Sequence, residues 1–304
     1  MKYVAIVPDG LEDVAIKEIK GEKVLPGRVV CNKIDIKKVQ SVIKVYELWG
    51  RGKVDDIKIG KVKFEGSVRV SCHRKGEHDF NSQDVERIVG KQLVEQGYNV
   101  DYKSPDNIIF VDVLDDDYML GLDLTPKLLS KRDYRIKIHN RSINACVAYS
   151  LVRLSGWKGE GIFLDPFCKD GVVCIEAANF KQGKIVGYDS LFHNVRSAEI
   201  NSKLAEQKIK FARYDVEWLD TKFNKDEITH IATVIPFPSK TVPEKKIRNM
   251  YKEFFRSLQE VLSGKAVFIT KKLEILKELC TLEFVEEREV RMGKSLYWVV
   301  VYKN

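Results

Sequence analysis

From Gly159 onward the chain alternates short apolar runs with amphipathic stretches, and this pattern constrains the fold more than any other feature. Strands are predicted at 162–165, 185–189, 209–214, 228–234 and 266–270, with helices over 171–180, 193–205, 244–262 and 273–280. Strands separated by helices of this length form a mostly parallel sheet with helices on both faces. Two further runs, 284–289 and 296–301, read as a closing hairpin that adds antiparallel strands at one edge.

Ligands of such sheets lie beyond the carboxyl ends of the strands. Residues Leu164 to Ala178 read LDPFCKDGVVCIEAA, a strand end, a tight loop and a helix start. Asp165, Phe167, Lys169 and Gly171 fall in that loop. Asp189 closes the second strand in VGYD, and Asp215 follows the third in ARYD. A carboxylate after the second strand suits ribose hydroxyls, and one after the third suits an adenine amino group. No G-x-G-x-x-G follows the first strand, which argues against a nicotinamide enzyme.

The chain has 304 residues, 44% of them hydrophobic and 32% charged, as expected of a globular, water-exposed protein. No apolar run approaches the ~20 residues that span a bilayer, and the first residues do not resemble a secretory signal. A cytoplasmic location without membrane contact is expected. Cys31, Cys72, Cys146, Cys168, Cys174 and Cys280 are scattered, and no metal-ligand spacing is present. The formal net charge is +8. Between Lys127 and Lys158 eight basic residues face one acid, Asp133. Such a run favours a polyanionic partner.

Upstream, residues 1–60 read as a small α+β unit, 61–135 as a second one, and 136–157 as a basic linker. The second unit has a strand at 62–70, a helix starting at Ser82, which serves as its N-cap, and a hairpin at 108–122 with Asp115, Asp116 and Asp117 at its tip. The linker opens with a strand-like piece at 134–138 and continues as a helix over 143–154.

The quoted motifs, with the hairpin, resemble a Rossmann-like methyltransferase dependent on S-adenosylmethionine. The segments VRVSCHRKGEHDFNSQDVERIVG and GLDLTPKLLSKRDYRI resemble the THUMP domain and exit segment of the tRNA and 23S rRNA guanine-N2 methyltransferases. The resemblance covers nearly the whole chain. It implies an N-terminal ferredoxin-like domain (1–60), a THUMP RNA-binding domain (61–135), the basic linker (136–157) and a Rossmann-like methyltransferase domain (158–304). The implied cofactor is S-adenosylmethionine, and the implied partner is tRNA or another structured RNA. Arg74, Lys75, His78, Lys131, Arg132 and Arg135 are the expected RNA contacts, and Tyr134 is a candidate for stacking on an unpaired base.

Three departures from the family pattern stand out. The family loop Asp-Pro-Phe-Cys-Gly-Ser-Gly-Thr is here DPFCKDGV, and the Cβ of Lys169 is expected to oppose a positive φ. The family signature Asn/Asp-Pro-Pro-Tyr/Phe falls on Val234-Ile235-Pro236-Phe237 or, one residue later, on Ile235-Pro236-Phe237-Pro238. Either register places an aliphatic side chain where the family has the polar group that orients the target amine. Thr233 and Ser239 are the nearest hydroxyls. The stretch Asn140 to Asn144 replaces the family's Ala-Pro-Leu. Two functions fit: transfer of a methyl group to a base amine of structured RNA, or a relative that has lost cofactor and transfer and binds tRNA alone or as a partner subunit.

Overall fold

The computed structural model describes residues 1–139 and 141–304, so Asn140 lies outside the described residues. The first unit comprises β1 (Tyr3–Ile6), α1 (Glu12–Ile19), β2 (Glu22–Leu25), β3 (Arg28–Cys31) and β4 (Lys44–Glu47), with sheet order β2-β3-β1-β4. Glu12 and Asp13 open α1, where they complement the helix dipole. It carries one helix, and a turn at 36–38 stands between β3 and β4.

The second unit comprises β5 (Gly50–Lys53), β6 (Val68–Lys75), α2 (Ser82–Glu95), β7 (Asn107–Leu114) and β8 (Asp117–Leu122), ordered β5-β8-β7-β6. Because β5 pairs with β8, the sheets divide between Glu47 and Gly50 rather than at residue 60. The cap of α2 is Asn81, not Ser82. Its side chain accepts from the N–H groups of Gln83 and Asp84, and Asp84 reciprocates in a capping box. The expected strand at 62–70 is displaced to β6.

The third unit begins earlier than expected. Helix α3 (Ala145–Leu154) lies within the supposed linker, yet Ala145 through Val152 are all buried. It packs on the α/β sheet as part of that domain. No strand forms at 134–138. Instead Lys137 uses its backbone N–H and C=O on the side-chain amide of Asn201, at 3.0 and 2.8 Å.

Beyond α3 follow β9 (Ile162–Asp165), α4 (Val172–Phe180), β10 (Lys184–Asp189), α5 (Phe192–Leu204), β11 (Lys210–Arg213), α6 (Leu219–Lys222), β12 (Ile228–Val234), α7 (Glu244–Val261), β13 (Leu262–Thr270), α8 (Leu273–Leu279), β14 (Glu283–Met292) and β15 (Ser295–Lys303). The seven-stranded sheet is ordered β11-β10-β9-β12-β13-β15-β14. The first five strands are parallel, and β15 and β14 close the edge antiparallel, as the alternation predicted.

A core lies on each face. On one side α3 and α4 cover Phe163, Val234, Val267 and Val299. On the other, α7 presents Ile247, Tyr251, Phe254, Phe255, Leu258 and Val261 at helical spacing to Ile231, Ile235 and Phe268. Each such large apolar side chain contributes roughly 1.5–3 kcal/mol of burial energy. Among the described residues no helix is long and apolar enough to cross a membrane.

The first unit is docked on the third at two places. Arg288 of β14 pairs with Asp13 of α1 at 2.7 Å, and Asp9 forms an antiparallel bridge with Arg291. Elsewhere Gln40 donates to Glu176 of α4 at 3.0 Å.

Candidate functional site

The site is built on the carboxyl ends of β9, β10, β11 and β12. Asp165 ends β9 and is buried, and its Oδ1 accepts from the Thr233 hydroxyl and from the Phe167 N–H at 3.2 Å. Burial pushes the Asp165 carboxyl up to about 7, against the opposing effect of these two bonds. The chain then crosses to β10, where the Cys168 N–H donates to Tyr188 O at 2.8 Å.

Lys169 adopts φ +49°, the left-handed conformation its Cβ was expected to oppose. The conformation is kept at a cost of roughly 1–2 kcal/mol, and the bond from Lys169 N–H to Asp189 Oδ2 at 3.1 Å holds it. The Lys169 ammonium turns to the Arg141 carbonyl, 3.3 Å away. Burial lowers it to about 8, despite the pull of Asp165, Asp189 and Asp170. Gly171, at φ +79°, opens α4. A Cβ there would come within 2.9 Å of Ala198 Cβ, so close packing against α5 as well as the positive φ requires glycine at this position.

Two buried ion pairs hold this loop and helix from behind. Asp170 accepts from Arg135 at 3.0 Å and from the Ser142 hydroxyl at 2.6 Å. Glu176, one turn into α4, accepts from Arg132 Nε and Nη2 at 3.1 and 3.0 Å and from Tyr134 Oη at 2.7 Å. Arg132, Arg135 and Tyr134 were expected at the RNA. All three point inward, because their partners are carboxylates with no other means of neutralisation in the core.

Asp189 is nearly saturated. Its Oδ1 takes the Leu191 N–H at 3.0 Å and the Asn194 side-chain amide at 2.9 Å. Asn194 Oδ1 is buried without a donor among the described residues. Asp215 is exposed and its carboxylate has no hydrogen-bond partner among them. Phe167, half-buried, packs edge-on to Phe254 at 5.3 Å against the α7 core.

At the end of β12 the alternation sends Val234 to the α3/α4 core and Ile235 to the α7 core. Both are buried, and neither presents a group to a ligand. Tyr251 Oη donates to Pro236 O at 2.6 Å. Phe237 is half-buried, edge-on to Tyr297 at 6.4 Å, with the Arg141 guanidinium 6.0 Å above its ring. Lys271 stands 4.7 Å over Tyr297 and donates to Ser295 at 2.9 Å. Sequence reasoning missed Tyr297, Lys271 and Asn194. Lys271 follows the last residue of β13, so the strand-end rule would have found it. Tyr297 sits in a hairpin and gave no signal.

Of the remaining expected RNA contacts, Arg74 meets His78 at 3.1 Å and lies 5.7 Å from the centroid of Phe80. Lys75 pairs with Asp9 at 2.9 Å. Lys131 is exposed and has no acidic partner among the described residues.

Residues 132–297 match the RMKL-like methyltransferase domain, and residues 56–123 match the THUMP domain. The chain belongs to the RMKL-like methyltransferase family. Relatives of this family member include proteins named tRNA (guanine(6)-N2)-methyltransferase. The one from Methanocaldococcus jannaschii is 27% identical over 285 residues, covering 76% of this chain and 74% of the relative. The one from Thermus thermophilus is 30% identical over 220 residues, covering 70% and 64%. For the Archaeoglobus fulgidus relative, 28% identical, the coverage is 59% and 53%, so the chain spans about half of that protein. The same fold occurs in the crystal structure of TrmN from Thermus thermophilus (TM-score 0.81, 24% identity, covering 100% and 99% of the two chains). It occurs also in SMU.472 complexed with SAH (TM-score 0.81, 17% identity, covering 100% and 98%).

Proposed function

We propose that this chain binds S-adenosylmethionine at the carboxyl ends of β9, β10 and β11 and directs its methyl group to the N2 amine of a guanine in tRNA. One observation carries the reading: Asp165, Asp189 and Asp215 stand at three adjacent strand ends of one sheet, in a chain whose relatives bear that activity in their names. The adenosine end suits the residues present. Asp215 is free, and the buried Asn194 Oδ1 beside Asp189 lacks a donor that a ribose hydroxyl would supply. We place the reaction in the cytoplasm, in keeping with six free thiols.

When bound, the cofactor supplies an electrophilic methyl group on a sulfonium. The chain does the rest by positioning. Asp189 and Asp215 hold the nucleoside, and Phe237 offers a ring face to an unstacked base. Arg141 and Lys271, on either side of Phe237 and Tyr297, suit the phosphates of that nucleotide. Aliphatic residues at 234 and 235 leave the amine without a side-chain acceptor, which slows transfer by on the order of 10²–10³-fold relative to a site that has one. The buried side chains of Val234 and Ile235 favour a second reading, an RNA-binding relative that transfers no methyl.

Calorimetry with S-adenosylmethionine, followed by single-turnover transfer of labelled methyl to bulk tRNA, tests the proposal. Binding and slow incorporation are expected. Absence of binding at millimolar cofactor overturns it, and binding without incorporation selects the second reading.

A further inference from the structure

The loop carrying Lys37, Lys38 and Gln40 faces α3 and α4 across an open groove of about 720 Å³. Five cations and two carboxylates line it: Lys17, Lys37, Lys38, Arg132 and Arg153 against Glu18 and Glu176. The carboxylates are already engaged. Glu176 is neutralised by Arg132. Glu18 accepts from the N–H groups of Gln40 and Ser41 at 3.0 and 2.9 Å, and from the Ser41 hydroxyl. Of the cations, Arg132 is spent on Glu176, and the other four keep their charge. Among the described residues Lys17, Lys37 and Arg153 have no carboxylate within 4.0 Å. Lys38 reaches Asp35 at 3.5 Å, but both side chains stand in water. Arg153 is held 4.6 Å over the Phe180 ring and donates to Tyr149 Oη at 2.6 Å, which fixes its position without cancelling its charge.

These charges come from α1, the loop before β4, and α3, and they converge only because the first unit docks on the third. Unneutralised cations from three elements repel one another, and their convergence favours a polyanion. The groove sits toward the carboxyl end of α4, where Asn179 and Phe180 line it. With 9 residues, α4 separates this end from the Lys169 loop by roughly 13 Å. The far end of the groove, at Asn179 and Phe180, is therefore separate from the place of the modified nucleotide.

We infer that this groove carries the phosphodiester backbone of the RNA, at a place distinct from the modified base. The inference rests on the RNA-binding reading above. It replaces Arg132 and Arg135, which are spent on Glu176 and Asp170, by Lys17, Lys37, Lys38 and Arg153 as phosphate contacts.

The test is tRNA binding by the full chain, measured by fluorescence anisotropy over a range of salt concentrations, with the variant K17E/K37E/K38E. All three side chains are exposed, so folding is preserved, which thermal unfolding verifies. Affinity is expected to fall at least tenfold at low salt, and the log–log salt slope to flatten by about 2–3 units. A control, K203E/K208E/K210E, makes the same charge change on residues outside the groove. Tight tRNA binding with unchanged affinity and slope in the groove variant refutes the groove and leaves the RNA-binding reading standing. So does an equal loss in the control. Failure of the unmodified chain to bind tRNA overturns both.

Discussion

The Arg135 guanidinium lies 3.0 Å from the Asp170 carboxylate, and both are closed off from solvent beneath the Lys169 loop. The pair joins the segment leaving the THUMP domain to the Lys169 loop at the carboxyl end of β9. Removing the cation alone strands a buried carboxylate. Arg135→Ala is expected to lower unfolding free energy by about 3–5 kcal/mol. Urea titration checks this, and a loss below about 1 kcal/mol would show the pair to be dispensable.

Lys169 carries a left-handed φ for which glycine is suited. Lys169→Gly relieves roughly 1–2 kcal/mol of backbone strain and returns about 0.4–1 kcal/mol through the freer unfolded chain. A small net stabilisation is expected. The variant also removes a cation beside the place a sulfonium would occupy, so S-adenosylmethionine binding should tighten. Weaker binding in calorimetry would instead make Lys169 the partner of the cofactor carboxylate.

The pH dependence follows from Asp165, whose carboxyl rises from 3.8 to about 7 on folding. Between those values the folded state holds a proton that the unfolded state has released. Stability therefore falls as pH rises from about 4 to 7, by at most ~1.4 kcal/mol per pH unit. Asp165→Asn keeps the acceptor for Thr233 and Phe167 and removes the titration. Denaturation curves at a series of pH values should show the slope in the parent and its loss in the variant. Parallel profiles would refute the assignment.

Phe237 is a half-buried ring that meets both Arg141 and Tyr297. Base–aromatic stacking contributes roughly 1–3 kcal/mol, so Phe237→Ala is expected to reduce methyl transfer about tenfold to hundredfold. Cofactor affinity should be unaffected. A variant that loses cofactor binding instead would place Phe237 in the cofactor pocket.

Periodicity made the large sheet legible: the five parallel strands, the closing hairpin and the acids after the first three strands follow from the 159–304 pattern, whereas the strand order came only with the structure. Pairing partners were not legible. Arg132 and Arg135 read as surface charge because Glu176 and Asp170 lie 44 and 35 positions away. The same distance hid the role of α3, which looks like a connector until its buried face meets α4. At β12 the sequence left two registers open. Strand alternation resolves them by sending Val234 and Ile235 into opposite cores, so neither register delivers a polar group. The cap of α2 moved one residue, from Ser82 to Asn81, because Asn81 stands three residues before the reciprocating Asp84.

The docking of α1 on β14 has a consequence for synthesis. Asp13 and Arg288 are 275 positions apart, and any Cβ at Gly10 would lie 1.9 Å from the Glu289 carbonyl. Helix α1 thus waits for β14, made 275 positions later, before it finds its seat. Loop-closure entropy makes such a contact late and slow. While translation continues, the incomplete chain exposes the very face that the finished one hides, and it is then that chaperones would find it.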